Sequence, residues 1–130
     1  MIVDASALLA ILRNEPEATL CAEALENSYE SSISSANWLE ASIVVDSKRD
    51  PIVSRRFDEL VRVAGLRMEP VSERHVHIAR QAYRDFGKGS GHPAQLNIGD
   101  CFAYALAKDR NEPLLFTGKN FSRTDLESAF

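Results

Sequence analysis

Met1-Ile2-Val3-Asp4, followed at once by Ala5-Ser6-Ala7-Leu8-Leu9-Ala10-Ile11-Leu12, is a short apolar run that delivers a carboxylate to the start of a helix-like stretch. The pattern predicts a buried strand with Asp4 at its C-terminal end. In open α/β sheets, ligands bind outside the carboxyl ends of the strands, near the point where strand order reverses. Asp4 is therefore expected at one corner of an acidic, metal-holding pocket. The rest of the chain has to supply the other corners.

Further along, strand-like and helix-like segments alternate. Arg13-Asn14-Glu15-Pro16 interrupts the first helix, and a second is expected to open at Asn14 or Glu15 and run to about Asn27, with Leu20, Ala24 and Leu25 as its apolar stripe. Ser31-Ser32-Ile33-Ser34 suits a second strand, and Ala36 to Val45 a helix. Pro51 to Ala64 predicts another helix with Ile52, Phe57, Leu60, Val61 and Ala64 inward, stopped by Gly65. Leu66 to Val71 alternates like a strand, which Pro70 places at an edge or at its end. Ser72 is the natural N-cap of a helix to about Phe86 carrying the apolar set Val76, Ile78, Ala79, Ala82 and Tyr83. A long irregular segment, Gly87 to Leu96, leads into Asn97-Ile98-Gly99-Asp100 and a nearly continuous apolar helix, whose character implies burial. Pro113 to Gly118 is a fourth strand with a turn, and a short helical turn follows. This alternation predicts a three-layer α/β/α sandwich with a mainly parallel central sheet of four or five strands.

With 130 residues the chain suits a single domain spanning 1–130, large enough for a core without disulfides or structural metal. Its net charge of −4 argues against gripping nucleic acid through a general basic surface. It leaves room for an enzyme that meets a phosphodiester through bound cations. Cys21 and Cys101 lack metal-ligand spacing and read as buried reduced thiols. No basic segment leads into a signal-like apolar run, and none is long enough to span a bilayer. A cytoplasmic location without membrane attachment is the expectation.

Asp4, Glu40 and Asp100 each fall at or soon after the start of a predicted helix. With parallel strands these acids converge on one edge of the sheet. Gathering like charges is costly unless a cation joins them, which points to Mg²⁺ or Mn²⁺. A second reading stands beside this one. Asp4 suits a plain N-cap, and both Asn37-x-x-Glu40 and Asn97-x-x-Asp100 have the spacing of capping boxes. Capping and metal binding are compatible.

At this point the chain resembles a known family. Met1 to Leu8, then Ser35-Ala36-Asn37-Trp38-Leu39-Glu40-Ala41, look like the opening motifs of PIN-domain ribonucleases. Gly89 to Ala107, and then Leu114-Leu115-Phe116-Thr117-Gly118 with Phe121 and Thr124-Asp125-Leu126, are similar to the VapC toxins of type II toxin–antitoxin modules. The resemblance implies a magnesium-dependent endoribonuclease, inhibited by a cognate VapB-type antitoxin and commonly a homodimer. It carries the acidic metal and catalytic roles to Asp4, Glu40 and Asp100, and a supporting role to Ser6 and to Thr117, with Asn37 beside Glu40. One departure stands out: where many relatives have an acid just before the Phe of the fourth motif, this chain has Asn120, preceded by Lys119.

Within that reading Asp4 and Asp100 hold the ion, Glu40 completes the pocket, and either Glu40 or Asp100 orients the attacking water. Lys88, His92 and Lys119 are the residues expected near substrate, although the Gly87 to Leu96 loop equally suits a surface loop whose glycines serve turns. His75 and His77 fall on opposite sides of a helix, and Trp38 suits core or interface better than base stacking. Two rivals remain. One is a receiver-like phosphoacceptor domain, which lacks its expected acid pair after the first strand and has Met68-Glu69-Pro70 at the third. The other is a catalytically weak module that keeps the scaffold for protein binding.

Overall fold

The computed structural model describes residues 1–130. Four strands, β1 (Ile2–Val3), β2 (Ser32–Ser34), β3 (Arg67–Glu69) and β4 (Leu114–Leu115), form one sheet in the order β3-β2-β1-β4. Every pairing is parallel. The helices are α1 (Ala5–Leu12), α2 (Ala18–Asn27), α3 (Ser35–Asp46), α4 (Pro51–Val63), α5 (Glu73–Phe86) and α6 (Ile98–Arg110), and a 3₁₀ turn covers Phe121–Arg123. None of them is long and apolar enough to cross a membrane.

Strand periodicity explains the three layers. Ile2 pairs with Leu114 and Val3 with Leu115, so each pair points to one face of the sheet. Ile2 and Leu114 join the α5–α6 core with Ala82, Leu96 and Leu106. Val3, Ile33 and Leu115 join the core under α1 to α4 with Leu8, Cys21 and Phe57. Both faces are covered, as an all-parallel sheet requires. The apolar run in α6 serves this burial: seven of its residues, from Gly99 to Ala107, are inaccessible.

β1 is flanked by β2 on one side and β4 on the other, so strand order reverses beside it. The crevice at that switch point lies at the C-terminal ends of β1 and β4, next to Asp4 and Thr117. β3 is an edge strand that ends at Glu69, just before Pro70. The opposite edge, β4, carries a single parallel bridge to Ser128, so the sheet has four strands and one isolated bridge.

Several local expectations are corrected. α2 starts at Ala18, not at Asn14 or Glu15, because Asn14 takes a left-handed φ of 50° that closes α1, and Pro16 falls in the connecting turn. Its buried stripe is Ala18, Cys21 and Leu25, while Leu20 lies exposed about 100° round from Cys21. Ile52 is likewise exposed, about 140° round the helix from Phe57 and about 180° from Val61, the buried stripe of α4. In α5, Val76 and Tyr83 face outward, whereas His75 is buried and closes a capping box with Ser72. Asn37 and Glu40 do not form a capping box. α3 begins one turn earlier, capped by the Ser34 hydroxyl, which leaves Asn37 inside the helix. Asn97 and Asp100 do form one.

Candidate metal centre

Asp4 caps α1. Its Oδ2 accepts the Ser6 N–H at 3.0 Å, and its own N–H donates to the Leu115 carbonyl at 2.9 Å. The side chain is 4% exposed, and Oδ1 has no hydrogen-bond partner. Burial pushes its pKa up to about 7, against the lowering effect of Ser6, and the charges of Asp100 and Glu40 push the same way. Those charge effects, with Glu40 lying against Gly99 next to Asp100, put the three carboxylates within electrostatic reach of one another.

Glu40 enters from α3. Its Oε1 accepts the Asn37 amide at 3.3 Å, and the same amide donates to the Gly99 carbonyl at 2.8 Å. Asn37 is fully buried, so this amide pins the middle of α3's first half to the first turn of α6. The Glu40 carboxylate then lies against the Cα of Gly99, where a Cβ would overlap it. Burial raises the pKa of Glu40; the Asn37 bond works against this and the Asp100 charge adds to it.

Asp100 is the third residue of α6. Its Oδ2 accepts the Asn97 N–H at 3.1 Å while its own N–H donates to Asn97 Oδ1 at 2.9 Å. Asn120 donates to the same Oδ2 at 3.4 Å. Burial raises the pKa of Asp100, with the Asn97 N–H and the Asn120 amide opposing. The capping reading thus holds for Asp4 and Asp100, whose carboxylates also act on one another's charge.

Ser6 joins the two sides of the switch point, its hydroxyl accepting the Thr117 N–H at 3.1 Å. Thr117 therefore acts on Ser6 through its backbone. Lys88 and Lys119 are exposed and form no ion pair. His92 is half-buried: its Nδ1 accepts the Ala94 N–H at 3.1 Å and its ring stands edge-on to Phe86 at 5.0 Å. One nitrogen of His92 is thus committed to its own loop. That loop is held at both ends, by Lys88 N–H to the Leu96 carbonyl and by Arg123 to the Pro93 carbonyl at 3.0 Å. Asp125, in the final segment, is engaged elsewhere by Tyr104 at 2.7 Å and Lys108 at 2.6 Å. Glu69, at the end of β3, is paired with Arg110 at 2.7 Å.

No three His, Cys, Asp or Glu side chains draw together into a preassembled cage. The donor set nevertheless fits a hard divalent cation. Every donor is a carboxylate oxygen, Asp4 Oδ1 is a buried acceptor with no donor, and Mg²⁺ habitually keeps several waters among its ligands. Sequence reasoning missed Gly99. An isolated glycine in the first turn of an otherwise apolar helix is the signal that pointed to a close approach.

A family model described as PIN domain matches residues 1–127. The chain is 54% identical to "VapC ribonuclease Mb0625" of Mycobacterium bovis over 129 residues, covering 99% of this chain and 97% of that protein. It is 45% identical to "Ribonuclease VapC42" of Mycobacterium tuberculosis, covering 99% and 98%. Its fold matches the crystal structure of M. tuberculosis VapC20, titled a Sarcin-Ricin loop cleaving toxin, with a TM-score of 0.71 at 12% identity over 96% of this chain and 95% of that one. It also matches a chain of a toxin–antitoxin complex from Klebsiella pneumoniae, with a TM-score of 0.69 at 14% identity, covering 93% and 89%. At that level of identity these two likenesses speak to the fold alone. The chain belongs to the PIN domain family, in its VapC branch.

Proposed function

We propose that the protein is a divalent-metal-dependent endoribonuclease of the VapC toxin type, cleaving RNA by hydrolysis of a phosphodiester. The carrying observation is the buried Oδ1 of Asp4, an acceptor without a donor beside two further carboxylates whose pKa values are also raised. A cation relieves both the missing partner and the mutual repulsion. Asp4 and Asp100 would hold Mg²⁺ or Mn²⁺, with Glu40 completing the pocket. When bound, such an ion supplies positive charge against the phosphodiester and acidifies water at the site.

The chain's own groups do the positioning. Ser6 and Thr117 fix Asp4 between β1 and β4. Asn37 holds Glu40, and Asn97 with Asn120 holds Asp100. Orientation of the attacking water falls to Glu40 or Asp100. Lys119, next to Asn120, and Lys88 supply charge toward a substrate phosphate, with His92 shaping the entrance between them.

The names of the relatives and of one fold neighbour support a cognate antitoxin as the physiological inhibitor; a homodimer is the working form that this reading adds. Asp4→Asn should abolish Mg²⁺-dependent cleavage of RNA while leaving the circular dichroism spectrum intact. Full cleavage by that folded variant would sink the proposal in favour of a scaffold used for protein binding.

A further inference from the structure

We infer that Arg123 binds a phosphate of the RNA strand flanking the one cleaved, while its bond to Pro93 holds the two sides of the entrance together. The inference rests on the ribonuclease reading above and names a substrate contact outside the carboxylate pocket. Two segments flank Asp100. The loop that starts at Gly87 ends on it through the Asn97 N–H, and the turn after β4 reaches it through the Asn120 amide. Away from Asp100 the same two segments are joined once more, where Arg123 Nη1 donates to the Pro93 carbonyl at 3.0 Å. Asp100, Asn97, Pro93, Arg123 and Asn120 thus mark out a closed ring of chain and contacts.

The charge of Arg123 is uncompensated. Its side chain is exposed, its partner in the protein is a neutral carbonyl, and it forms no ion pair. Asp125, two residues on, is occupied by Tyr104 and Lys108. A guanidinium carries five N–H donors in a planar fork, so one bond to Pro93 leaves others for the oxygens of a phosphate. The turn beneath it is firm. Phe121 is buried against the Phe116 ring at 5.2 Å, Ser122 Oγ donates to the Lys119 carbonyl at 2.7 Å, and Thr124 Oγ1 donates to the Phe121 carbonyl at 2.7 Å. Such a seat lowers the ordering cost of binding. In a chain of net charge −4, attraction for RNA has to come from local cations, and Arg123 adds a third to Lys88 and Lys119 on these two segments.

The test uses Arg123→Gln, which keeps an N–H for the Pro93 carbonyl and loses the charge, and Arg123→Lys, which keeps the charge and loses the fork. Binding of a mixed-sequence, fluorescein-labelled single-stranded RNA is read by anisotropy across a salt series without divalent metal. Loop closure is read by hydrogen exchange at the Lys88 and Leu96 amides, which bond across the base of the loop. Arg123→Gln should bind several-fold more weakly at low salt, with parental exchange. Its slope of log K against log salt should be smaller by about 0.7, the value of one single-strand phosphate contact. Arg123→Lys should recover the slope. A loss of affinity that comes only with faster loop exchange would assign Arg123 to the fold alone and overturn the phosphate contact. Equal slopes for the parent chain and Arg123→Gln, or no binding by the parent chain, would also overturn it. Total cellular RNA left intact by the parent chain in Mg²⁺ would overturn the ribonuclease reading with it.

Discussion

The side-chain amide of Asn37 donates to the carbonyl of Gly99, 62 residues later, at 2.8 Å, and neither the amide nor the carbonyl is open to water. This one bond brings α6, which follows a loop and not a strand, to the same crevice as α1 and α3. It also fixes the turn of α3 on which Glu40 sits.

Asn37→Ala should therefore lower stability more than a helix-surface substitution does. It strands a buried carbonyl and leaves a small void, for a loss of about 1–3 kcal/mol. Urea denaturation reads this directly. A loss indistinguishable from zero would mean that the α3–α6 clamp is not formed in solution.

Gly99→Ala separates the site from the fold. The added methyl meets only the end of a flexible Glu40 side chain, which can swing away. The higher helix propensity of Ala, worth about 1 kcal/mol, offsets the strain. Near-parental stability with RNA cleavage reduced by tenfold or more is expected, and Gly99→Ser should behave the same way. Unchanged turnover would show that the seat of Glu40 on Gly99 does not matter to the chemistry.

Asp4 makes the metal-free protein pH-sensitive. Its carboxyl sits near 7 against an ordinary 3.8, chiefly through burial, so between those values the folded state holds a proton that the unfolded state has released. Stability contributed by that proton is full below pH 4 and is lost as pH rises through 7; the displacement corresponds to an upper limit of about 4 kcal/mol. Glu40 and Asp100 are shifted in the same direction. Asp4→Asn should flatten this slope, so its gain over the parent chain grows from pH 5 to pH 8 in thermal melts without metal. Mg²⁺ competes with the same proton, and its affinity should rise with pH until about 7. A flat melting profile for the parent chain would contradict the burial of an unpaired Asp4.

Lys119 is exposed and has no carboxylate partner, so its removal should leave the fold alone. Lys119→Ala is expected to raise KM for RNA several-fold with little change in kcat, and to reduce the salt dependence of binding by about one phosphate contact. Equal salt slopes for the two proteins would remove Lys119 from the substrate path.

Ser6→Ala removes the acceptor of the Thr117 N–H at the switch point. A loss of about 1–2 kcal/mol in chemical denaturation is expected. Weaker metal binding should accompany it, because Asp4 is held by the same turn.

Much of this was readable from residue order. Met1 to Asp4 predicted β1 and the acid at its end, and the apolarity of α6 predicted its burial between layers. Those signals are local. Asn37 was misread because Asn-x-x-Glu is a capping spacing, while the Ser34 hydroxyl captures the cap one turn earlier. Its true role depends on the Gly99 carbonyl, 62 residues away, a contact that only the folded chain makes. Leu20 and Ile52 were placed inward on hydrophobicity alone; the helical angle to Cys21 and to Phe57 decides against them. The loop from Gly87 to Leu96 looked free in composition, yet His92, Phe86 and Arg123 bind it down through contacts that only the folded chain brings together.

The pairing of β1 with β4 also has a temporal meaning. Asp4 completes its backbone ladder on Leu115, and Ser6 meets Thr117 across a separation of 111 residues. A growing chain carries Asp4 early but lacks the strand that seats it until Leu114 and Leu115 have been made. Such long-range closure comes late in folding. The seat of Asp4 therefore belongs to the slow part of folding, because the entropy of a loop of more than a hundred residues must be overcome before Ser6 and Thr117 meet.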